Sequence, residues 1–561
     1  MADENALSGD GRKSRAIASF ISVSFMITIG IPIWWNTTKV YRATLPYDEL
    51  QELQNLKLHI NVSVDLIWQQ DFHTQEDTLQ TLSDKLNLND SKKDDHIHIN
   101  FNLRGRKINP NENQLLASSM DNVETLDDGL QELWATNDDY LEYKFIIVSD
   151  KEAVLFDHGT DIFIGKYRHA LLSDFKGLSE AVNLIANVTR NIFLPRAIMK
   201  LQVLKESQPR TKIDEIRAFK SVTGYQLSFN LINDEPETGI VKWNIEQAIS
   251  DVLKPFVNKI KYFDVTFDSQ VLYYSGLNLA PKTDNNVKYL TVEDLPQMIN
   301  PIESKLGSFV SLNPSLNFIV YIPRWKDTPL KIIDDNGVYV ATNAFLSPRW
   351  GGLVIHNVHE RSENATETPP IIRLKMSPIM KIFLTQIRAL VGIKHEITLK
   401  GVTMSSFLNS GVQDWEVDRL LLKTSLEYLS TSVKTLTSLT QLMDKVKNMI
   451  IADKIKIDIE NALMKINQCQ EALSQGRIIT AFQAAKRAVQ LSEKAFYDPS
   501  VLELLYFPDD QKFAIYIPLF LPMSLPLVLS LFASIKWLRK RDELKDVQSS
   551  EGDEIAKKKD E

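Results

Sequence analysis

The chain has 561 residues, a formal net charge of −8 and one cysteine, Cys469. That length exceeds what one hydrophobic core supports, so two or more packed units are expected. Mild acidity with interspersed basic residues excludes the clustered basic face of a nucleic-acid binder. A lone cysteine excludes an internal disulfide, a CxxC redox pair and a Cys-rich zinc site.

Residues 1–15 end in Arg12, Lys13 and Arg15 and read as a cytosolic N-terminus. Residues 16–35, AIASFISVSFMITIGIPIWW, carry no charge. At about 1.5 Å rise per residue they are long enough to cross a bilayer core of about 30 Å. A cleaved signal peptide is the alternative, but the run is long for one. It ends in Trp34 and Trp35, residues suited to the headgroup layer, which favours a retained anchor.

Residues 36–410 are expected to form a lumenal α/β region of two sub-units, near 50–200 and 210–405. In the first, Leu56–Trp68 alternates with period two, His73–Leu86 fits a helix and His96–Leu103 alternates again. Tyr143–Val148 and Ala153–Phe156 flank a short polar turn and read as a hairpin, followed by a helix over Leu178–Phe193. In the second, Tyr225–Leu231, the stretch from Val265, Leu316–Tyr321 and Leu353–Val358 read as strands, with a helix over Trp243–Ile260.

Residues 411–512 change character and read as a lumenal helical segment. Leu422, Leu426, Leu429, Val433, Leu436, Met443, Val446 and Ile450 recur at helical spacing. A second helix runs to Ser474 with Gly476 as its C-terminal cap, and small residues around Ala481, Ala484, Ala485 and Ala488 mark a third.

Residues 513–535 form the second uncharged run, FAIYIPLFLPMSLPLVLSLFASI. Lys536, Arg539, Lys540 and Arg541 follow it, so the positive-inside rule puts both chain ends in the cytosol, with 536–561 as a tail. Pro518, Pro522 and Pro526 lie four apart, roughly along one helix face. Each removes a backbone donor and bends the helix. A helix packed on other membrane helices, or lining a lipid groove, could use this, although spans also tolerate proline. Sequons at Asn61, Asn89, Asn187 and Asn364 fall in the lumenal part and are candidate glycosylation sites. Lys558 and Lys559 match a dilysine retrieval signal for the endoplasmic reticulum, with a solvated charged tail as the plain alternative.

No GxSxG, GxGxxG or Walker A motif is present, so no nucleophile elbow or phosphate cradle is predicted and no cofactor is assigned. Cys469 lies among apolar residues of a predicted helix and reads as a core thiol rather than a nucleophile. His356, His359 and Glu360 invite a metal reading. On a strand, however, the two histidines point to opposite faces, and a loop at a strand end is the simpler account. His96 and His98 share a face and read as part of a polar sheet surface. No catalytic or metal-binding residue is therefore assigned.

Two motifs carry a family resemblance. The segment Trp34-Trp35-Asn36-Thr37-Thr38-Lys39-Val40-Tyr41-Arg42-Ala43-Thr44-Leu45-Pro46-Tyr47 resembles the membrane-exit signature of the PIG-S family, and Pro348-Arg349-Trp350-Gly351-Gly352 supports it. The order of anchor, large domain, anchor and short tail also agrees. The resemblance implies a scaffold subunit of the GPI transamidase in the endoplasmic reticulum membrane. It implies that the nucleophile belongs to a PIG-K-type cysteine-protease-like chain, with PIG-T, PIG-U and a GAA-type subunit as further partners and the membrane lipid, GPI included, nearby. Trp34, Trp35, Tyr41, Arg42, Pro46 and Tyr47 are then the candidate membrane-junction residues. A membrane enzyme acting on glycan or lipid, and a cargo receptor or chaperone, are the rival readings.

Overall fold

A computed structural model describes residues 14, 16–38, 41–69, 75–87, 97–119, 122–134, 138–148, 161–173, 178–195, 222–276, 280–284, 287–306, 313–358, 369–393, 399–408, 410–446, 451–502 and 509–557. The chain divides into two compact units. The larger takes Asp48–Thr437 and Glu460–Glu493; the smaller takes Met1–Tyr47, Ser438–Ile459 and Lys494–Glu561.

The larger unit holds two main sheets. In the first, β1 (Leu58–Trp68) pairs in parallel with β2 (Ile97–Lys107) on one side and β3 (Glu142–Ile147) on the other. β4 (Ile162–Ile164) and β5 (His169–Leu172) follow, β5 parallel to β3 and β4 antiparallel to β5. The second half of β1 is buried on both faces, as a central parallel strand must be. One face packs Ile67, Ile146, Phe163 and Leu171 against Leu116, Leu126 and Leu130. These leucines come from α2 (Pro110–Ser119) and α3 (Val123–Trp134), which follow α1 (Gln75–Asn87) in the chain. On the other face Tyr143 stacks on Phe193 with centroids 4.6 Å apart, at the end of α4 (Leu178–Val188) and its π-turn Thr189–Phe193.

Of the hairpin expected at 143–156, the first arm is β3. β3 lies between β1 and β5 in the sheet. Ala153–Phe156 lies outside the described residues.

The second sheet has the order β13-β14-β11-β6-β8. It is built from β6 (Gly224–Asn233), β8 (Asp264–Tyr273), β11 (Ser315–Ile322), β13 (Ala344–Ser347) and β14 (Gly351–Ile355). β6 is buried at every residue. Phe229 and Phe318 meet Phe383 of α5 (Met376–Val391) at 6.0 and 5.4 Å, which covers one face. On the other face Ile232, Ile319, Tyr321, Leu353 and Ile355 pack on Leu290, Leu295, Met298, Ile302, Leu330 and Ile332. These residues lie in or beside a small sheet of β9 (Lys282–Asp284), β10 (Val287–Thr291) and β12 (Leu330–Ile333). A third short pairing joins β7 (Ile240–Lys242) to β15 (Ile371–Arg373). β16 (Val402–Met404) then returns to the outer edge of the first sheet beside β4.

Three long helices precede the C-terminal helix: α6 (Asp414–Lys445), α7 (Asp453–Ser474) and α8 (Ile478–Phe496). Gly476, with φ +75°, makes the tight turn between α7 and α8. Within the larger unit, Leu141 N–H donates to Gly476 O at 2.9 Å and Ile478 N–H to Asp139 O at 2.7 Å, so the turn docks beside the start of β3. Phe482 meets Phe263 and Tyr428 at 4.9 and 5.6 Å.

In the smaller unit, residues 16–36 form one unbroken helix long and apolar enough to cross a membrane. The C-terminal helix, Asp509–Lys557, meets the same test only as two parts, Ala514–Pro522 and Ser524–Lys540, bent by 51°. Pro526 has no N–H for the carbonyl of Pro522, and Pro522 none for that of Pro518, so the ladder opens where the bend falls. All three prolines are exposed.

Candidate membrane-junction site

The two apolar helices pack on each other. Ser19 and Ser530 place their hydroxyl oxygens 2.5 Å apart, and Trp34 meets Tyr516 edge to face at 5.9 Å. The partners come in reversed order along the second helix, so the pair is antiparallel. Ser19 and Ser534 are buried, while Ile17, Ile21, Phe25, Leu525, Leu529 and Phe532 face outward. Small hydroxyl residues inside and large apolar ones outside are the arrangement expected of helices in lipid, where backbone approach and interhelical hydrogen bonds replace the hydrophobic drive.

Past Trp34 and Trp35, whose rings meet at 6.4 Å, the helix ends at Thr38, and residues 41–46 are non-helical. Residues 41–45 run beside the turn between α6 and α7, all within the smaller unit. Ala43 N–H donates to Ile451 O at 3.0 Å and Ile451 N–H to Tyr41 O at 3.3 Å, a one-rung parallel bridge centred on Arg42.

The side chains flanking that rung hold the two helix ends. Arg42 Nη2 donates to Met443 O at 2.9 Å. That carbonyl lies in the last turn of α6, where the helix dipole favours a cation. Tyr41 Oη donates to Asp453 Oδ1 at 2.8 Å. Asp453 opens α7, where the dipole favours an anion. By accepting the bond, and by its charge, Asp453 raises the Tyr41 phenol above its ordinary value. Lys456 Nζ reaches Thr44 Oγ1 at 3.5 Å. Leu45 is buried, and Pro46 and Tyr47 are half-buried as α-helical structure resumes at Tyr47. Two further pairs tie α7 to the chain approaching the C-terminal helix: Lys494–Asp458 at 2.9 Å and Lys454–Asp498 at 3.3 Å.

The other expected sites fall as follows. Gly351 and Gly352 of the second motif open β14. A Cβ on Gly351, with φ +152°, would lie 1.8 Å from Asn317 O, and one on Gly352 would lie 2.0 Å from Gln386 Oε1 of α5. The glycines thus permit close strand and helix approach, and Trp350 packs on the sheet core. Asn61 sits in β1, its amide donating to Ser474 O and accepting from Asn100 at 3.1 Å. Asn187 is exposed on α4. Asn89, Asn364, Lys558 and Lys559 lie outside the described residues. His356 N–H donates to Tyr321 O at 2.9 Å, just after β14; His359 and Glu360 are not among the described residues. His98 stacks on His59 at 5.3 Å across β1 and β2, while His96 is not described. Cys469 is fully buried, and burial pushes its thiol far above the ordinary range. Among the described residues no group of three or more His, Cys, Asp or Glu is placed to hold a metal. A cavity of about 460 Å³ beside α5 includes Arg388, Phe407, Gln413 and Glu416 in its lining. Its cation is already committed, since Arg388 donates to Glu416 at 2.7 Å and to Gly411 O at 2.8 Å.

The motif residues were legible from their chemistry, but their partners were not. Met443, Ile451 and Asp453 lie some four hundred residues away in the chain; helical spacing runs the first long helix on through Val446 and Ile450, whereas α6 ends at Lys445. Ser19 and Ser530 could have been found as hydroxyls placed in otherwise apolar runs.

Comparison with known proteins gives a consistent result. The family model described as "PIG-S: Phosphatidylinositol-glycan biosynthesis class S protein" matches residues 20–541. The chain is 36% identical over 533 residues to the "GPI-anchor transamidase component PIGS" of Bos taurus, covering 93% of this chain and 94% of the relative. The human protein of the same description is 36% identical over 536 residues, with 93% and 94% covered. The "GPI transamidase component PIG-S homolog" of Schizosaccharomyces pombe is 23% identical over 537 residues, covering 94% and 86%.

Proposed function

This chain belongs to the PIG-S family, and from that premise we propose that it is a non-catalytic scaffold subunit of the GPI transamidase. The relatives are named as components of that complex. On this reading the chain sits in the endoplasmic reticulum membrane. It spans it twice, keeps both termini in the cytosol and carries its larger unit in the lumen. Its partners are a PIG-K-type subunit bearing the nucleophile, PIG-T, PIG-U and a GAA-type subunit, with membrane lipid, GPI included, at the spans. Lys558 and Lys559 act as a retrieval signal, and the exposed prolines 518, 522 and 526 face neighbouring helices or lipid.

One observation carries the scaffold reading: Tyr41 and Arg42 join the membrane exit to both ends of the α6–α7 turn. A clip of this kind transmits position rather than chemistry. The setting of Cys469 supports the non-catalytic part, because a buried thiol with a raised pKa is a poor nucleophile.

The test is complementation of cells lacking this chain, read as GPI-anchored protein at the cell surface. Cys469→Ala and His356→Ala should restore the signal as the unchanged chain does. Loss of GPI attachment by either variant, with the complex still assembled, would contradict a non-catalytic role.

A further inference from the structure

β8 is the last strand of the second sheet among the described residues, bonded to β6 alone. Asp264 N–H donates to Thr223 O at 3.2 Å and Tyr274 N–H to Asn233 O at 3.1 Å, so even-numbered residues of this stretch turn their backbone groups toward β6. By strand alternation, Val265, Phe267, Ser269, Val271 and Tyr273 turn theirs outward. Ser269 agrees, for its N–H takes the Asp268 carboxylate at 2.8 Å instead of a neighbouring strand.

The same odd-numbered residues form an apolar shelf. Phe267 lies over Phe229 at 6.5 Å, on the face that α5 covers farther in. Beyond that cover, Phe267, Val271 and Tyr273 are 37%, 39% and 44% exposed, and Tyr274 is 67% exposed. The strand, DVTFDSQVLY, contains no Lys, Arg or Pro, and its two charges, Asp264 and Asp268, sit at even positions, away from the apolar row. A long edge whose outward backbone groups, Ser269 N–H apart, pair with no strand among the described residues, beside an apolar row, fits an occupant with an extended backbone and apolar side chains at alternate positions.

We propose that β8 is a docking strand, to which an extended, alternately apolar segment of another transamidase subunit adds as a further strand of the second sheet. This rests on the reading of the chain as a subunit of that complex.

The test is residue-resolved hydrogen exchange on the full chain in mild detergent, alone and in the assembled complex. Alone, the amides of Asp268, Gln270 and Leu272 should be protected, and those of Phe267, Val271 and Tyr273 open. In the complex, the latter three should slow by about a hundredfold or more. Val271→Pro removes one outward N–H and leaves the β6 ladder intact, whereas Leu272→Pro breaks that ladder. Val271→Pro should therefore keep the even-residue protection and cut recovery of one subunit by about tenfold or more. If Val271→Pro loses even-residue protection, Val271→Lys serves as the variant, with the same expected loss.

Unchanged exchange of Phe267, Val271 and Tyr273 in a complex that does assemble overturns the docking strand alone. Protection in the isolated chain that vanishes on dilution would mean pairing with a second copy, and also overturns it. Failure to recover any other transamidase subunit overturns both this proposal and the reading beneath it.

Discussion

Tyr41 and Asp453 stand 412 residues apart in the chain and meet at 2.8 Å, joining the end of the first apolar helix to the start of α7. Arg42 meets the end of α6 beside it, so two consecutive residues address two helix ends of opposite polarity.

The two contacts should differ in weight. Arg42→Ala removes a charged donor from a helix-end carbonyl and should lower stability by about 1–3 kcal/mol. Tyr41→Phe removes one solvent-exposed hydrogen bond and should lower stability less than Arg42→Ala does. Thermal unfolding of the full chain in mild detergent checks both. An Arg42→Ala protein that melts with the unchanged one would remove the clip from the account.

Asp139 gives the larger unit a pH-dependent contact. It receives Thr480 N–H at 2.9 Å, Thr480 Oγ1 at 2.7 Å and Arg477 Nε at 3.1 Å, at the start of α8. Burial pushes its carboxyl up, but these bonds outweigh burial and hold it below the usual carboxylate range. A carboxyl lowered by folding stabilises above its unfolded pKa of about 3.9 and loses that contribution as pH falls through the folded value. Acid titration followed by circular dichroism should show this loss below about pH 4, and Asp139→Asn should remove that component. At neutral pH, Asp139→Ala should cost about 1–2 kcal/mol as a lost helix cap. An unaltered acid profile in Asp139→Asn would refute the assignment.

Of the candidate glycosylation sites Asn61 and Asn187, Asn187 should carry glycan and Asn61 should not. Asn187 is exposed on α4, whereas Asn61 spends its amide on Ser474 and its carbonyl on Asn100 within the sheet. Asn187→Gln should lose one endoglycosidase-sensitive mobility step, and Asn61→Gln none. A step lost with Asn61→Gln would show that β1 is glycosylated before it folds.

The antiparallel apolar helices make a covalent prediction. In a Cys469→Ala background, Ser19→Cys with Ser530→Cys should cross-link under mild oxidation in membranes, given hydroxyls 2.5 Å apart. The exposed Ser22, changed to Cys with the same partner, should not. Equal yields from both pairs would mean that the helices do not hold this register.

What the sequence disclosed follows from the range of the interactions involved. β1 and α6 were readable because burial imprints periods of two and 3.6 on the chain itself. The pairing of β3 was not, since its neighbours come from 58–68 and 169–172 and alternation does not say which strand lies alongside. α5 escaped notice because its polar residues are buried too: Arg388 is sealed against Glu416, and Gln386 lies against Gly352, which blurs the apolar stripe. At the junction, Tyr41 and Arg42 announced themselves by type, but the helix ends that they hold are fixed only by tertiary structure.

The most direct measurement is native mass spectrometry of the assembly captured through the C-terminal tail of this chain from membranes in mild detergent. The account predicts one fixed stoichiometric complex holding the other transamidase subunits. A single monodisperse chain, or a shifting set of unrelated glycoproteins, would contradict it.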